Sequence, residues 1–439
     1  MVSVERSSLS VLIQSPYRMR EGVPSGVNSY IEEMIPFLKK EGCDVKTVRP
    51  VSPLGEKDRS DYHLGWGVSI PANGTNFDIA ISFNKLGARN ILEDAMPHVV
   101  VIHEPGVPNI SHTLASSIPK LENGKRLVPV IGHFHAGRPP NGLDLKTKLL
   151  EKALQVVRRP KIGGGIGVTS GYTRTLEKAM TGRIAVSLDT ATFWNEHSAG
   201  EYRVIPNGIR LDTFTSQGPR FEDWDDGKKT ILSACRHDVR KGLEYLLEAY
   251  GSLRRAGVDN LKLKLVGKGD VTEKLKEKVR REEIPDVEFL GVLSTEDLAR
   301  AYRSADVLAA PSIGGEGFNR TIAESRSSGT LVVCTDIDGQ RSAIGDDLFP
   351  FMAKPCDSDD LAQKINEILN LSEEAARELR VDSRRDAVER FAWPVIAREN
   401  VRYWEQVLAK HGEVPQWKKS RRSFVNKIPV AGNIYVSDS

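Results

Sequence analysis

Two stretches of this chain have the residue types and spacing that phosphate and sugar chemistry needs. The first is Glu316–Gly317–Phe318–Asn319–Arg320–Thr321–Ile322–Ala323–Glu324, with two carboxylates eight positions apart. Gly314 and Gly315 precede it and let a ligand approach the backbone closely. Amides where the loop turns into a helix can cradle an anion. Glu316 is placed to accept hydrogen bonds from sugar hydroxyls and Glu324 from a ribose. Two spaced glutamates alone are usually a solvated helix face; the glycine loop after a strand points to a site. The second stretch is Ser233–Ala234–Cys235–Arg236, followed by Arg240–Lys241–Gly242. A strand that ends at Arg236, with Lys241 opening the next helix, sets two cations where a diphosphate would lie. A solvated basic loop is the plainer reading of that stretch.

Weaker signals lie in the first half. Gly26, in Pro24–Ser25–Gly26–Val27, stands at a strand-to-helix turn. A G-x-G-x-x-G dinucleotide fingerprint is absent, here and at Gly163–Gly167. His103–Glu104–Pro105 and His133–Phe134–His135 each follow an apolar run. His135 is the candidate for a group near the reacting centre, because imidazole titrates near neutrality. His133 is expected on the opposite face, and a two-histidine metal site lacks a third ligand, so no metal is expected. Three Asp-x-Asp triplets, at 223–225, 336–338 and 357–359, read as loops.

The elements that must position these residues are short β-branched runs alternating with helical patterns, the signature of parallel sheets covered by helices. Strands are expected at 10–14, 44–48, 78–82, 99–103, 128–132, 166–169 and 183–187. A second set is expected at 230–234, 262–266, 287–290, 307–310 and 331–334. The chain breaks between the sets near Pro206–Asn207–Gly208. Trp393–Leu408 forms a closing amphipathic helix, and the basic residues from about Gly412 read as disordered or surface-adsorbed. Ligands bind beyond the carboxyl ends of such strands, which brings His103, His135, Arg236 and Lys268 into one cleft.

Of 439 residues, 39% are hydrophobic and 28% charged, which excludes a wholly disordered chain. With 62 basic and 59 acidic residues the net charge is +3, so nucleic acid is not an expected partner. Basic residues concentrate in two places. Arg138–Lys161 holds seven basic and two acidic residues, and Trp417–Lys427 five basic and none acidic. Residues 142–159 and 417–427 are therefore candidates for an anionic membrane surface, against the plainer reading of a solvated helix and a polar tail. No run approaches the length of a transmembrane helix, and the opening apolar run is short for a signal peptide. Four scattered cysteines suggest buried reduced thiols and a cytoplasmic protein.

Together VPSGVN, HEPGVP, FHAG, IPNGI, ACRHDVRKG, LVGKGD, VEFLG and GGEGFNRTIAE resemble the retaining glycosyltransferases of family 4, in the family's order, over about residues 10–410. Within that family the HEP and FH segments are most similar to the phosphatidylinositol mannosyltransferases. The resemblance implies an α/β chain of the GT-B fold, with two facing Rossmann-like domains and a cleft between them. Residues 1–205, completed by a helix returning over 393–411, would form the acceptor side. Residues 206–392 would bind the nucleotide sugar, and 412–439 would be the tail. The implied reaction is metal-independent transfer of a hexose, mannose favoured, from a GDP- or UDP-hexose to a lipid or sugar hydroxyl, with no separate cofactor. Carried over by motif, Arg236 and Lys241 hold the diphosphate and Glu316 contacts the sugar. The backbone of Gly315, Gly317, Phe318 and Asn319 lines the donor, and Glu324 takes the ribose. Gly26 reaches the diphosphate from the first domain, and Lys268, Leu290 and Gly291 lie near the base. His135 sits at the reaction centre, and His103 and Arg138 face the acceptor. The chain departs from the family at Asn319, Ser325–Arg326, Ser25 and Arg210. A catalytically silent binding protein or a nucleotide-sugar epimerase are the other classes these motifs allow.

Overall fold

The computed structural model describes residues 8–17, 26–51, 60–72, 75–106, 109–137, 176–412, 415 and 417. The expected strand at 166–169, the loop at 18–25, the basic stretch 142–159, Arg138 and nearly all of the tail lie outside the described residues.

Among the described residues the first sheet has eight strands: β1 (Leu9–Gln14), β2 (Cys43–Val51), β3 (Tyr62–Ala72), β4 (Thr75–Ile81), β5 (Val99–His103), β6 (Val130–Phe134), β7 (Met180–Ala185) and β8 (Arg203–Val204), in the order β4-β3-β2-β1-β5-β6-β7-β8. The second has six: β9 (Lys229–Ala234), β10 (Leu261–Val266), β11 (Val287–Gly291), β12 (Val307–Ala310), β13 (Leu331–Thr335) and β14 (Met352–Ala353), in the order β11-β10-β9-β12-β13-β14. Among the described residues every strand pairing is parallel except β3 with β4, an antiparallel hairpin at the edge of the first sheet. The sequence pattern misses β3, because Gly65, Gly67 and Pro71 interrupt its run; β3 lies second from the edge, between β4 and β2. It also misses the two-residue β8 and β14.

In each sheet the strand order reverses beside the first strand. β1 lies between β2 and β5, and β9 between β10 and β12. That is where crevices form at the carboxyl ends of parallel strands. Gly26 opens the helix Gly26–Lys40 that follows β1, and Arg236 and Lys241 follow β9. His103 ends β5, and Glu316 lies in the loop after β12.

The closing helix Trp393–His411 returns to the first sheet. Trp393, Ile396, Ala397 and Trp404 are buried among Val11, Ile13, Val99, Val101 and Ile131. Pro394 at its first turn costs no internal hydrogen bond there. The Tyr403 hydroxyl accepts from the Arg183 amide of β7 at 3.0 Å, tying this helix to the sheet it covers. Trp417, read from sequence as the start of the basic tail, donates its indole N–H to the Pro97 carbonyl at 3.0 Å.

Two further expectations change. Cys43 and Cys334 are buried, but Cys235 is only half-buried and Cys356 is exposed in the turn before the helix Ser358–Leu369. Arg326, a departure from the family, is a structural residue. Its guanidinium is fully buried, donates to Ser383 Oγ at 2.9 Å and the Ala343 carbonyl at 2.8 Å, and pairs with Asp386 at 2.7 Å and Asp347 at 3.3 Å. It joins the helix Arg320–Ser327 to the helix Glu373–Phe391. Truncation would leave two carboxylates and a carbonyl unpaired around a cavity. Arg326→Ala is expected to lower unfolding stability by about 3–5 kcal/mol, measured by urea denaturation, with the midpoint falling and the slope preserved.

Candidate functional site

The strongest contact in the cleft is an ion pair. Lys241 Nζ lies 2.5 Å from Glu316 Oε1, and Ser312 Oγ donates to the same oxygen at 2.9 Å. Both side chains are largely buried. Burial opposes both charges, but the pairing outweighs it, holding Lys241 above the ordinary lysine range and Glu316 below the ordinary carboxylate range. Lys241 ends a short helical turn, Val239–Lys241, and Gly242 closes that turn at φ +63°. A Cβ at Gly242 would lie 2.0 Å from the Pro311 carbonyl, so the K-G pair brings the lysine against the end of β12.

Asp238, which the motif reading passed over, organises the other cations. Its carboxylate accepts from Arg236 at 3.0 Å, from Arg240 Nη2 at 3.1 Å and from the Arg240 amide at 2.9 Å. Arg240 also reaches the Gly315 carbonyl at 3.4 Å. The Arg236 side chain remains 50% exposed at the cleft, which leaves it accessible to an anion. An acidic residue between two arginines was a legible signal for this clamp.

Glu324 is buried. Its Oε2 accepts from the Tyr302 hydroxyl at 3.3 Å, and its Oε1 lies 3.5 Å from Arg320 Nε. Burial pushes its carboxyl up to about 7, against the pull of Arg320. Arg320 reaches across the cleft to Glu33 of the helix Gly26–Lys40 at 2.7 Å, and Trp393 Nε1 donates to the same Glu33 oxygen at 3.1 Å. No periodicity or spacing announces this link; it depends on two segments nearly 290 positions apart.

Asn319 precedes the helix Arg320–Ser327, but its side chain does not cap it; Oδ1 accepts instead from Thr321 Oγ1 at 2.7 Å. Asn319 is buried beside Lys241, Cys235 and Ser312. The Phe318 ring turns away from the cleft and packs edge-on against Phe391 at 5.2 Å, so only its backbone can serve a ligand. Lys268 is exposed just beyond β10, and Leu290 and Gly291 close β11 beside it; the Gly291 carbonyl accepts from Gly267 at 2.7 Å. Gly26 is exposed with open space around it. Arg138 lies outside the described residues. The Asp-x-Asp triplets, read from sequence as loops, each run into a helical turn: Asp223 lies in Glu222–Trp224, Asp338 opens the helix Asp338–Ile344 and pairs with Arg341 as Asp336 does, and Asp357 caps the helix Ser358–Leu369 that holds Asp359.

The histidines differ from the sequence expectation. His133 is not on the opposite face, because residues two apart on a strand share a face. His103 and His133 are register partners on β5 and β6, and their ring centroids are 4.8 Å apart. His133 and His135 are 4.5 Å apart, and His103 Nδ1 is hydrogen-bonded to His135 Nε2 at 2.8 Å. Tyr30 meets His133 and His135 edge-on. Burial depresses all three imidazoles, His135 to about 3, so they are neutral near pH 7. Glu104 follows at φ +49°, and burial pushes its carboxyl up to about 7.

The two sheets touch where these loops meet. A Cβ on Gly317 would lie 1.8 Å from the His135 carbonyl, and one on Gly137 2.2 Å from the Glu316 carbonyl. The His135 segment and the Glu316 loop are therefore in backbone contact across the cleft.

Residues 217–385 match the family model described as glycosyl transferases group 1. The chain is 30% identical over 400 residues to the phosphatidyl-myo-inositol mannosyltransferase of Mycobacterium tuberculosis, covering 89% of this chain and 96% of that one. It is 29% identical over 401 residues to the enzyme of the same name from Mycobacterium leprae, with the same coverage. In structure it resembles a glycosyltransferase from Rickettsia africae, with a TM-score of 0.66 at 18% identity, over 91% of this chain and 99% of that one. The architecture is GT-B, with two parallel-strand layers facing one cleft. With the relatives matched almost end to end, the chain belongs to the group 1 glycosyltransferases and is a hexosyltransferase.

Proposed function

We propose that this enzyme moves mannose from GDP-mannose to a hydroxyl of a phosphatidylinositol-type lipid, with retention at the anomeric carbon and without a metal ion. The observation that carries the donor side is the buried Lys241–Glu316 pair beside the exposed guanidinium of Arg236. A nucleoside diphosphate replaces Glu316 as the partner of Lys241 and gains Arg236. Glu316 is then released to the sugar hydroxyls. As the bond from the anomeric carbon to the diphosphate breaks, negative charge grows on the leaving oxygens. Lys241, Arg236 and the amides of the Gly315–Asn319 loop stabilise that charge in place. Glu324 accepts the ribose hydroxyls, and Lys268, Leu290 and Gly291 border the base.

The acceptor reading rests on the likeness to enzymes that act on phosphatidyl-myo-inositol over nearly their whole length. No helix among the described residues is long and apolar enough to cross a membrane. The basic segments 142–159 and 417–427 supply a peripheral mode of contact with an anionic cytoplasmic membrane face. His135 is neutral and lies at the cleft, so it orients the acceptor hydroxyl by hydrogen bonding instead of acting as a charged acid. Front-face attack by that hydroxyl retains configuration, and its proton leaves with the diphosphate. Contact between the Glu316 loop and the His135 segment keeps water from the reacting carbon.

The direct test is transfer of labelled mannose from GDP-mannose to phosphatidylinositol in anionic vesicles, in the presence of chelator. Labelled lipid is expected; labelled free inositol with unlabelled lipid would place the acceptor in solution. In the same assay Lys241→Ala and Glu316→Gln are each expected to cut transfer at least about tenfold, or about 1.4 kcal/mol. Near-normal rates in both would remove the diphosphate assignment. In thermal denaturation, GDP at about 100 times its dissociation constant is expected to stabilise the protein by about 2.7 kcal/mol without magnesium; a response to UDP alone would change the donor class. Because burial holds Glu324 at about 7, its ionised form dominates only above that pH. GDP affinity is therefore expected to rise from about pH 6 to about pH 8, with Glu324→Gln losing that slope in calorimetry.

A further inference from the structure

The three-histidine cluster offers more than glycosyl transfer requires. His103, His133 and His135 each present a ring nitrogen, and these atoms all lie within 4.8 Å of one another. His103 Nε2 and both ring nitrogens of His133 are buried without a hydrogen-bond partner. Buried polar atoms left unpaired are costly. His133 is the residue that makes the cluster: it brings a third imidazole beside a pair already in contact, and that pair leaves it nothing to bond to. The His133 ring is fully buried on one side by Tyr30. His135 is only partly buried, on the cleft side, and provides the way in.

We infer that His103, His133 and His135 form a site for one borderline transition-metal ion of the zinc(II) class, and that an ion held there takes His135 away from the acceptor. Three neutral imidazoles with an open fourth position are a sufficient ligand set for zinc, with nitrogens about 2.0–2.1 Å from the ion. Tetrahedral angles at that distance set the nitrogens roughly 3.4 Å apart. Binding therefore opens the 2.8 Å His103–His135 contact by roughly 0.6 Å and draws the third ring inward. The ring planes lie within 20° of parallel, so binding also turns the rings until their in-plane lone pairs converge on one ion. The Arg49 guanidinium acts on His103 but is itself paired with Glu32, which moderates its repulsion of a cation. The open fourth position faces the cleft and takes water. The ion is not a participant in transfer; it is an inhibitor that occupies the acceptor side. Only this consequence rests on the proposed function; the binding does not.

The test uses tag-free, chelator-washed full-length protein. After incubation with zinc(II) and desalting, elemental analysis is expected to find one zinc per chain. Cobalt(II) at one equivalent is expected to give the intense visible bands of a four-coordinate site. His133→Thr, checked for folding by circular dichroism, is expected to lose affinity at least about 100-fold, the upper end of the cost of losing an outer-shell partner. Absence of retained zinc in the wild type, or equal retention in His133→Thr, overturns the inference. Should that variant fail to fold, the wild-type cobalt spectrum decides, and the weak bands of a six-coordinate ion overturn it. Zinc at one equivalent is expected to stop lipid mannosylation by the wild type and to spare His133→Thr. If no transfer occurs at all while stoichiometric zinc is bound, the function proposal falls and the metal site stands.

Discussion

The carbonyl of His135 and the backbone of Gly317 occupy the same narrow space between the two sheets. Everything else in the cleft depends on that approach. A side chain at position 317 would push the Glu316 loop away from β6 and separate the two halves of the site. The glycine loop thus serves the fold and the chemistry together. It permits backbone contact across the cleft and leaves the amides beside it free for an anion. The reversal of strand order in each sheet opens a crevice at the same level in both, and the 135–317 contact joins the two crevices.

Charge is managed in pairs that a ligand can exchange. Lys241 and Glu316 neutralise each other where neither is well solvated. Asp238 steadies Arg236 and Arg240 in the same way but leaves Arg236 half in solvent. The chain Glu33–Arg320–Glu324 extends this logic across the cleft. It links the carboxylate assigned to the ribose with a helix of the first sheet.

Arg326 and His133 show how far a local reading of the sequence can mislead. The Ser325–Arg326 pair departs from the family motif just after Glu324. In the fold the arginine points into the layer behind the Glu316 loop and satisfies Asp386, Asp347 and a backbone carbonyl. His133, read as a residue facing away, instead joins His103 and His135 because a strand repeats every two residues and β5 lies in register with β6. Residues that look alike in sequence part company once their elements are placed: Arg236 faces solvent at the cleft, Arg326 is sealed, and Arg320 bridges two layers.

The sequence by itself determined the alternation of strands and helices, the ends of the central strands and the loops that carry Arg236, Lys241, Glu316 and Glu324. These are local properties. A β-branched run, a glycine at a turn and a carboxylate at a helix start act over a few residues and leave a pattern in the chain. It missed β3 because glycine and proline interrupt the run of that strand, and it left no sign of β8 or β14, each only two residues long. Tertiary structure alone decided the inter-sheet contact at Gly317, the pairing of Lys241 with Glu316, the reach of Arg320 to Glu33 and the meeting of three histidines. Each of these depends on how far apart two distant segments finally lie, and separation in space leaves no mark on spacing in sequence.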